Sequence, residues 1–222
     1  MTLRRVAAAV AASALALGGL VACDSNPAVA AYVGETEFTT AEVDGIYQDL
    51  VDRQPDTNVT RQQILETLVV GELARSLSEQ QEGRPLQVTA ADIAAGENVP
   101  AESRYAQVRA DMATHLLFWS GHVDVPQPTE EQLRELHELA LAAGEEWADA
   151  PFEQLGPILN SDQVAQAIAV REGLTAEAER LGVSVNPRYA PLRHVFLHFA
   201  GGEPAVFVTL GEGGTDAVES GD

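Results

Sequence analysis

Five times along this chain of 222 residues, a Thr or Ser stands directly before an apolar pattern of helical period. Thr39 is followed three residues later by Glu42, Thr60 by Gln63, Thr89 by Asp92 and Thr129 by Gln132, while Ser161 stands before the last long apolar run. A hydroxyl before a helix accepts a hydrogen bond from a first-turn N–H, and an acid or amide at the third position reaches back to the cap. These punctuation marks fix where helices start. Val43, Ile46, Tyr47, Leu50 and Val51 then form one face, as do Ile64, Leu65, Leu68, Val69, Leu73 and Leu77 in a helix running to about Gln81. The spacing predicts a third long helix over 101–119 with Tyr105, Val108, Met112, Leu116 and Trp119 on one side. A helix after Thr129 carries Leu133, Leu136, Leu139 and Ala140, and one after Ser161 buries Val164, Ala167, Ile168, Leu174, Ala178 and Leu181. Gly182 ends it.

Strand signals lie at the two ends. "AAYVGETEFT" reads as two short strands about a tight turn at Gly34-Glu35. "VSVNPRY" reads as a strand and turn, and "RHVFLHF" with "AVFVTL" as a hairpin about Gly201-Gly202. "GEEWADAPFEQLGP" reads as irregular or a single turn. The expected fold is mainly α with a small β-sheet, a helical domain closed by N- and C-terminal strands.

The front of the chain is of another kind. Arg4 and Arg5 precede an uncharged run from Val6 to Leu17, then a Gly pair, then Leu20-Val21-Ala22-Cys23. This is the layout of an export signal. The run is short for a membrane span, which needs about 20 apolar residues. The last four residues resemble a bacterial lipobox, which implies lipid attachment at Cys23, the one cysteine of the chain, and a signal peptide over 1–22. An ordinary secretory signal and an uncleaved anchor are the other readings of the same run. Residues 23–30 are then a tether, 31–210 the domain and 211–222 a disordered acidic tail. The protein is expected outside the cytoplasm, held to the cell membrane through Cys23.

Charge excludes some partners. The chain has 13 Arg, no Lys and 34 Asp and Glu, a net charge of −21. Removing Arg4 and Arg5 takes it to −23. Nucleic-acid binding needs clustered cations, so it is not expected. An anionic membrane surface repels such a body.

Two stretches carry a resemblance. "AAYVGETEFTTAEVDGIYQDL" (30–50) resembles the opening of SurA-like chaperone domains, and "AERLGVSVNPRYA" (178–190) resembles the last helix and return strand of actinobacterial SurA-like lipoproteins. "QPTEEQLRELHELA" (127–140) is similar to the helix before the parvulin insert of larger relatives. The resemblance implies a hairpin paired with a C-terminal strand. "LRHVFLHF" looks like the start of a parvulin module, but 23 residues follow it where the module needs about a hundred. Prolyl isomerase activity is therefore not expected.

No enzymatic or cofactor motif stands out. There is no G-x-S-x-G and no phosphate-cradling glycine loop. His194 and His198 share a strand face but stand about 13 Å apart, too far to share one metal. His115, His122 and His137 are scattered. No cofactor and no metal are expected. The stripe Tyr105, Met112 and Trp119 suits either core or a client-binding groove. Trp119, Trp147 and Phe152 lie near loop breaks and are expected to be partly exposed. The chain therefore reads as a lipid-anchored, ATP-independent holdase for unfolded exported polypeptides, or as an envelope lipoprotein serving one fixed partner.

Overall fold

The structure is a computed structural model and describes residues 28–211. The expected signal, the lipid site Cys23 and the tail from residue 212 lie outside the described residues. In chain order the elements are β1 (Val29–Val33), β2 (Thr36–Thr39), α1 (Thr40–Arg53), α2 (Arg61–Glu79), α3 (Ala90–Glu97) and α4 (Arg104–Ser120). There follow α5 (Glu130–Ala142), a 3-10 turn (Glu146–Asp149), α6 (Phe152–Leu159), α7 (Asp162–Leu181), β3 (Ser184–Val185), β4 (Leu192–His198) and β5 (Pro204–Leu210). The protein is thus mainly helical with small antiparallel sheets.

Each hydroxyl named above caps its helix. Thr39 accepts from the Glu42 N–H, and Thr60, Thr89 and Thr129 form full capping boxes with Gln63, Asp92 and Gln132. Ser161 accepts from the Val164 N–H. Asp92 carries the signature of its box, since hydrogen bonds from Thr89 hold its carboxyl below the usual range. The third helix differs from expectation. It starts at Arg104, because Ser103 accepts from the Ala106 N–H and caps it there. Gly34 makes the β1–β2 turn with φ of +59°, and Gly182 closes α7 with φ of +74°.

One sheet was expected and two formed. β1 is central in the first, flanked by β2 and by β3, with Ala31 opposite Val185 and Tyr32 opposite Ser184. The chain's early and late segments therefore meet. β4 and β5 form a separate hairpin. β1 begins at Val29, which is buried with Ala30, so the structured domain starts inside the expected tether. At the other end, Gly211 lies against Val185 with φ of +81°.

The main core joins β1, α1, α2, α4 and the second half of α7 around Ile46, Leu50, Ile64, Leu65, Leu73, Met112 and Leu174. A smaller cluster gathers Leu133, Leu136, Leu155, Leu159, Val164, Ile168 and Val206. α7 runs through both. Among the described residues, no helix is long and apolar enough to cross a membrane.

Candidate functional site

The segment expected to be irregular or a single turn forms a 3-10 turn and then a helix that leaves a large apolar side chain exposed. Residues 152–159 form α6, with Leu155 and Leu159 turned into the smaller core and Ile158 left 72% exposed. Gly156 and Pro157 hid it, since both are breakers in helix interiors. The Phe152 ring lies close over Gly156, 3.3 Å from where a Cβ would stand, so a larger residue there requires the ring to shift by a few tenths of an ångström. On α5, Leu141 is 45% exposed. Reasoning from sequence missed Ile158 because the Gly-Pro pair interrupts the helical period of α6, and missed Leu141, on the expected helix α5, because exposure at the end of a helix depends on what packs there.

Trp147 and Phe152 sit at the edges of this lobe, and both are half-buried. The Trp147 indole N–H donates to Glu145 Oε2 at 3.0 Å, while Glu145 Oε1 accepts from the Gly201 N–H at 2.8 Å. Its ring meets Phe199 at 5.9 Å between centroids. Trp147 thus fastens the 3-10 turn to the β4–β5 loop. Phe152 lies under the Arg134 guanidinium, 4.2 Å from its centroid, and beside His137 at 5.9 Å. His137 Nε2 lies 2.8 Å from the Ala148 carbonyl oxygen, which can only accept, so that nitrogen carries the proton.

The stripe of α4 is core. Tyr105, Met112 and Trp119 are 6%, 2% and 4% exposed. The expected exposure of Trp119 is corrected: its indole lies on Gly173 of α7, where no side chain competes for the space. Burial also pushes the Tyr105 phenol above its usual range. These three side chains line no groove open to a client. The structure therefore separates the five expected client-binding residues, bringing Trp147 and Phe152 to one lobe and burying the other three.

His194 also departs from expectation. It faces inward, and its Nδ1 lies 2.7 Å from Glu66 Oε1. His198 is exposed at the strand end. A register shift at Val195–Leu197 exchanges the strand's faces between them. Among the described residues, no group of three or more His, Cys, Asp or Glu is placed to hold a metal ion. The lobe offers apolar contact and aromatic edges, with no nucleophile–base pair in it.

No protein-family model matches the chain, no curated protein matches it, and no solved structure matches it.

Proposed function

We propose that this protein is an exported, lipid-anchored holdase whose α5–α6 lobe takes hold of apolar segments of unfolded polypeptides. The observation that carries the reading is the exposure of Ile158 on α6 and Leu141 on α5, in the lobe that also holds the half-buried Trp147 and Phe152. Apolar side chains left in water on a small lobe mark an interaction surface. The resemblance of 30–50 and 178–190 to SurA-like chaperone domains supports the same reading. Capture here needs no ATP and no covalent step. The net charge of −21 keeps the loaded protein soluble and disfavours acidic clients.

The test is light scattering of a chemically unfolded model protein diluted into buffer with the purified protein. Suppression at near-equimolar ratio is expected, and it should fall severalfold in the Leu141→Ser, Ile158→Ser double variant. Both positions are exposed, so the variant keeps its core. No suppression at large excess overturns the holdase and leaves the single-partner reading, which crosslinking in the cell envelope then tests. The anchor has its own test: Cys23→Ala should accumulate as unlipidated precursor, and normal processing with detergent partitioning would overturn it.

A further inference from the structure

Negative charge is not spread evenly over this molecule, and it is densest on the lobe that leaves Leu141 and Ile158 exposed. From Glu130 to Asp162, 33 residues carry nine Asp and Glu against one Arg, Arg134. The other 151 described residues carry 20 against 10. Ion pairing sharpens the contrast. Glu130 is paired with Arg134 and Glu135 with Arg171 of α7, while Glu145 accepts from the Trp147 indole and the Gly201 N–H. Glu131, Glu138, Glu146, Asp149, Glu153 and Asp162 are exposed and have no ion-pair partner among the described residues.

Helix chemistry accounts for some of these acids and not for others. Glu131 and Glu153 stand in first turns and Asp162 opens α7, where the helix dipole favours an anion. Glu138 stands in the second half of α5, towards the end where the dipole disfavours an anion, and the last turn of α5 carries no basic residue. Glu146 and Asp149 lie in a 3-10 turn of four residues, which has few aligned peptide dipoles to favour them.

The same acids stand close in the chain to the apolar groups that face water. Glu138 and Leu141 are three apart on α5, which makes them neighbours on the helix surface, and both are exposed. Glu146 and Asp149 flank the half-buried Trp147 in its turn. Glu153 follows the half-buried Phe152 at the start of α6, the helix on which Ile158 is 72% exposed. A segment that covers Leu141 therefore takes water from Glu138. Taking water from a carboxylate costs free energy unless a cation replaces it. A purely apolar segment leaves that cost standing and an acidic one adds repulsion, whereas one with Lys or Arg beside its apolar residues offsets it. The carboxylates are dispersed, and among the described residues no group of three or more His, Cys, Asp or Glu is placed to hold a metal ion.

We propose that the α5–α6 lobe selects polypeptide segments in which Lys or Arg flank a short apolar run. The proposal rests on the holdase reading and names the class of client that the lobe takes. The apolar side chains supply the grip, and the unpaired carboxylates around them supply the preference, so the two effects can be measured apart.

The experiment is fluorescence anisotropy of short labelled peptides titrated with the purified protein. Three peptides share one apolar core of Leu, Ile, Val and Phe and carry Lys and Arg, Ser, or Glu at their ends. The cationic peptide should bind about tenfold more tightly than the Ser peptide, as a few exposed ion pairs allow, and the Glu peptide should bind most weakly. At about 1 M salt, charges are screened beyond about 3 Å, and the cationic and Ser peptides should bind alike. Glu138→Gln, Glu146→Gln, Asp149→Asn and Glu153→Gln together should bring the cationic peptide down to the affinity of the Ser peptide, with cooperative thermal unfolding retained. The same loss of charge at exposed acids outside the lobe, Glu35→Gln, Glu79→Gln, Glu82→Gln and Glu102→Gln, should keep the preference. Leu141→Ser with Ile158→Ser should weaken both peptides severalfold. Equal binding of the cationic and Ser peptides, a preference that persists at high salt or in the lobe variant, or one lost equally in the outside variant overturns the selectivity and leaves the holdase standing. Failure of all three peptides to bind, with no suppression of light scattering, overturns the holdase and the selectivity with it.

Discussion

At Gly173 the missing side chain matters more than the helix it weakens. Glycine inside a helix costs about 1 kcal/mol relative to alanine. Yet a Cβ at 173 would collide with the six-membered ring of the Trp119 indole, which is 4% exposed and has no room to retreat. Gly173→Ala should therefore destabilise by about 1–3 kcal/mol through overpacking. Gly96, in α3, meets nothing within 4 Å, and Gly96→Ala should stabilise by about 0.5–1 kcal/mol. Denaturant unfolding of both variants, with Gly173→Ala repeated in Trp119→Leu, separates helix propensity from collision. The penalty should shrink in the double variant, and equal penalties would mean that the two residues do not touch. Glu177 supplies a pH dependence at the same scale. It is 4% exposed, and hydrogen bonds from Arg180 and Ser76 hold its carboxyl below the usual range. A depressed folded pKa gives stability that is present above the unfolded value and lost as pH falls through the folded one. The Tm gap between the protein and Glu177→Gln should be full at pH 7 and close on acidification below the ordinary carboxylate range. A gap constant with pH would assign the effect to packing.

Among the elements, the five helix starts marked by a Thr or Ser cap were legible, the start of α4 under Ser103 was placed three residues early, and two other features were not legible. A cap and its third-position partner are local, so the Thr39 cap and the three Thr boxes needed no knowledge of the fold. The α6 helix was hidden because Pro157 removes one N–H and Gly156 lowers helix propensity, while burial of Leu155 and Leu159 outweighs both. Pro157→Ala should restore a bond to the Glu153 carbonyl and raise stability by about 1–2 kcal/mol, part of the gain being offset by a more flexible unfolded chain. Thermal unfolding reads it, and a drop would show that the ring itself is needed. The β4 pattern misled for a different reason. Strict alternation puts His194 with His198, but the register shift after Val195 breaks the period. Only Glu66 on α2, 2.7 Å from the imidazole, makes an inward His194 tolerable, and a partner 128 residues away is not visible in a local pattern.

The whole molecule is two cores threaded by one helix, and its weakest part should be its working part. The main cluster around Leu65, Leu73 and Leu174 holds 27 buried residues, while the cluster under α5 and α6 holds eight. Burial stabilises by about 25 cal/mol per Å2, so the smaller cluster holds its helices by less. Sequence periodicity named most inward faces but could not divide them, because the division depends on which helices meet. α7 shows this: Val164 and Ile168 serve the small cluster, and Val170 and Leu174, on the same helix, serve the large one. A lobe that yields an apolar segment's worth of surface must open at low cost, and local opening starts where buried contacts are fewest. Native-state hydrogen exchange should therefore show the amides of α5 and α6 exchanging through a local opening well below the global unfolding energy, while α2 and α4 exchange only with global unfolding. Leu155→Ala should widen that difference, opening the lobe further and leaving α2 protection nearly unchanged. If α5 and α6 exchange in step with α2, the two clusters unfold as one, and capture of clients has to proceed on the closed surface at Ile158 and Leu141 alone.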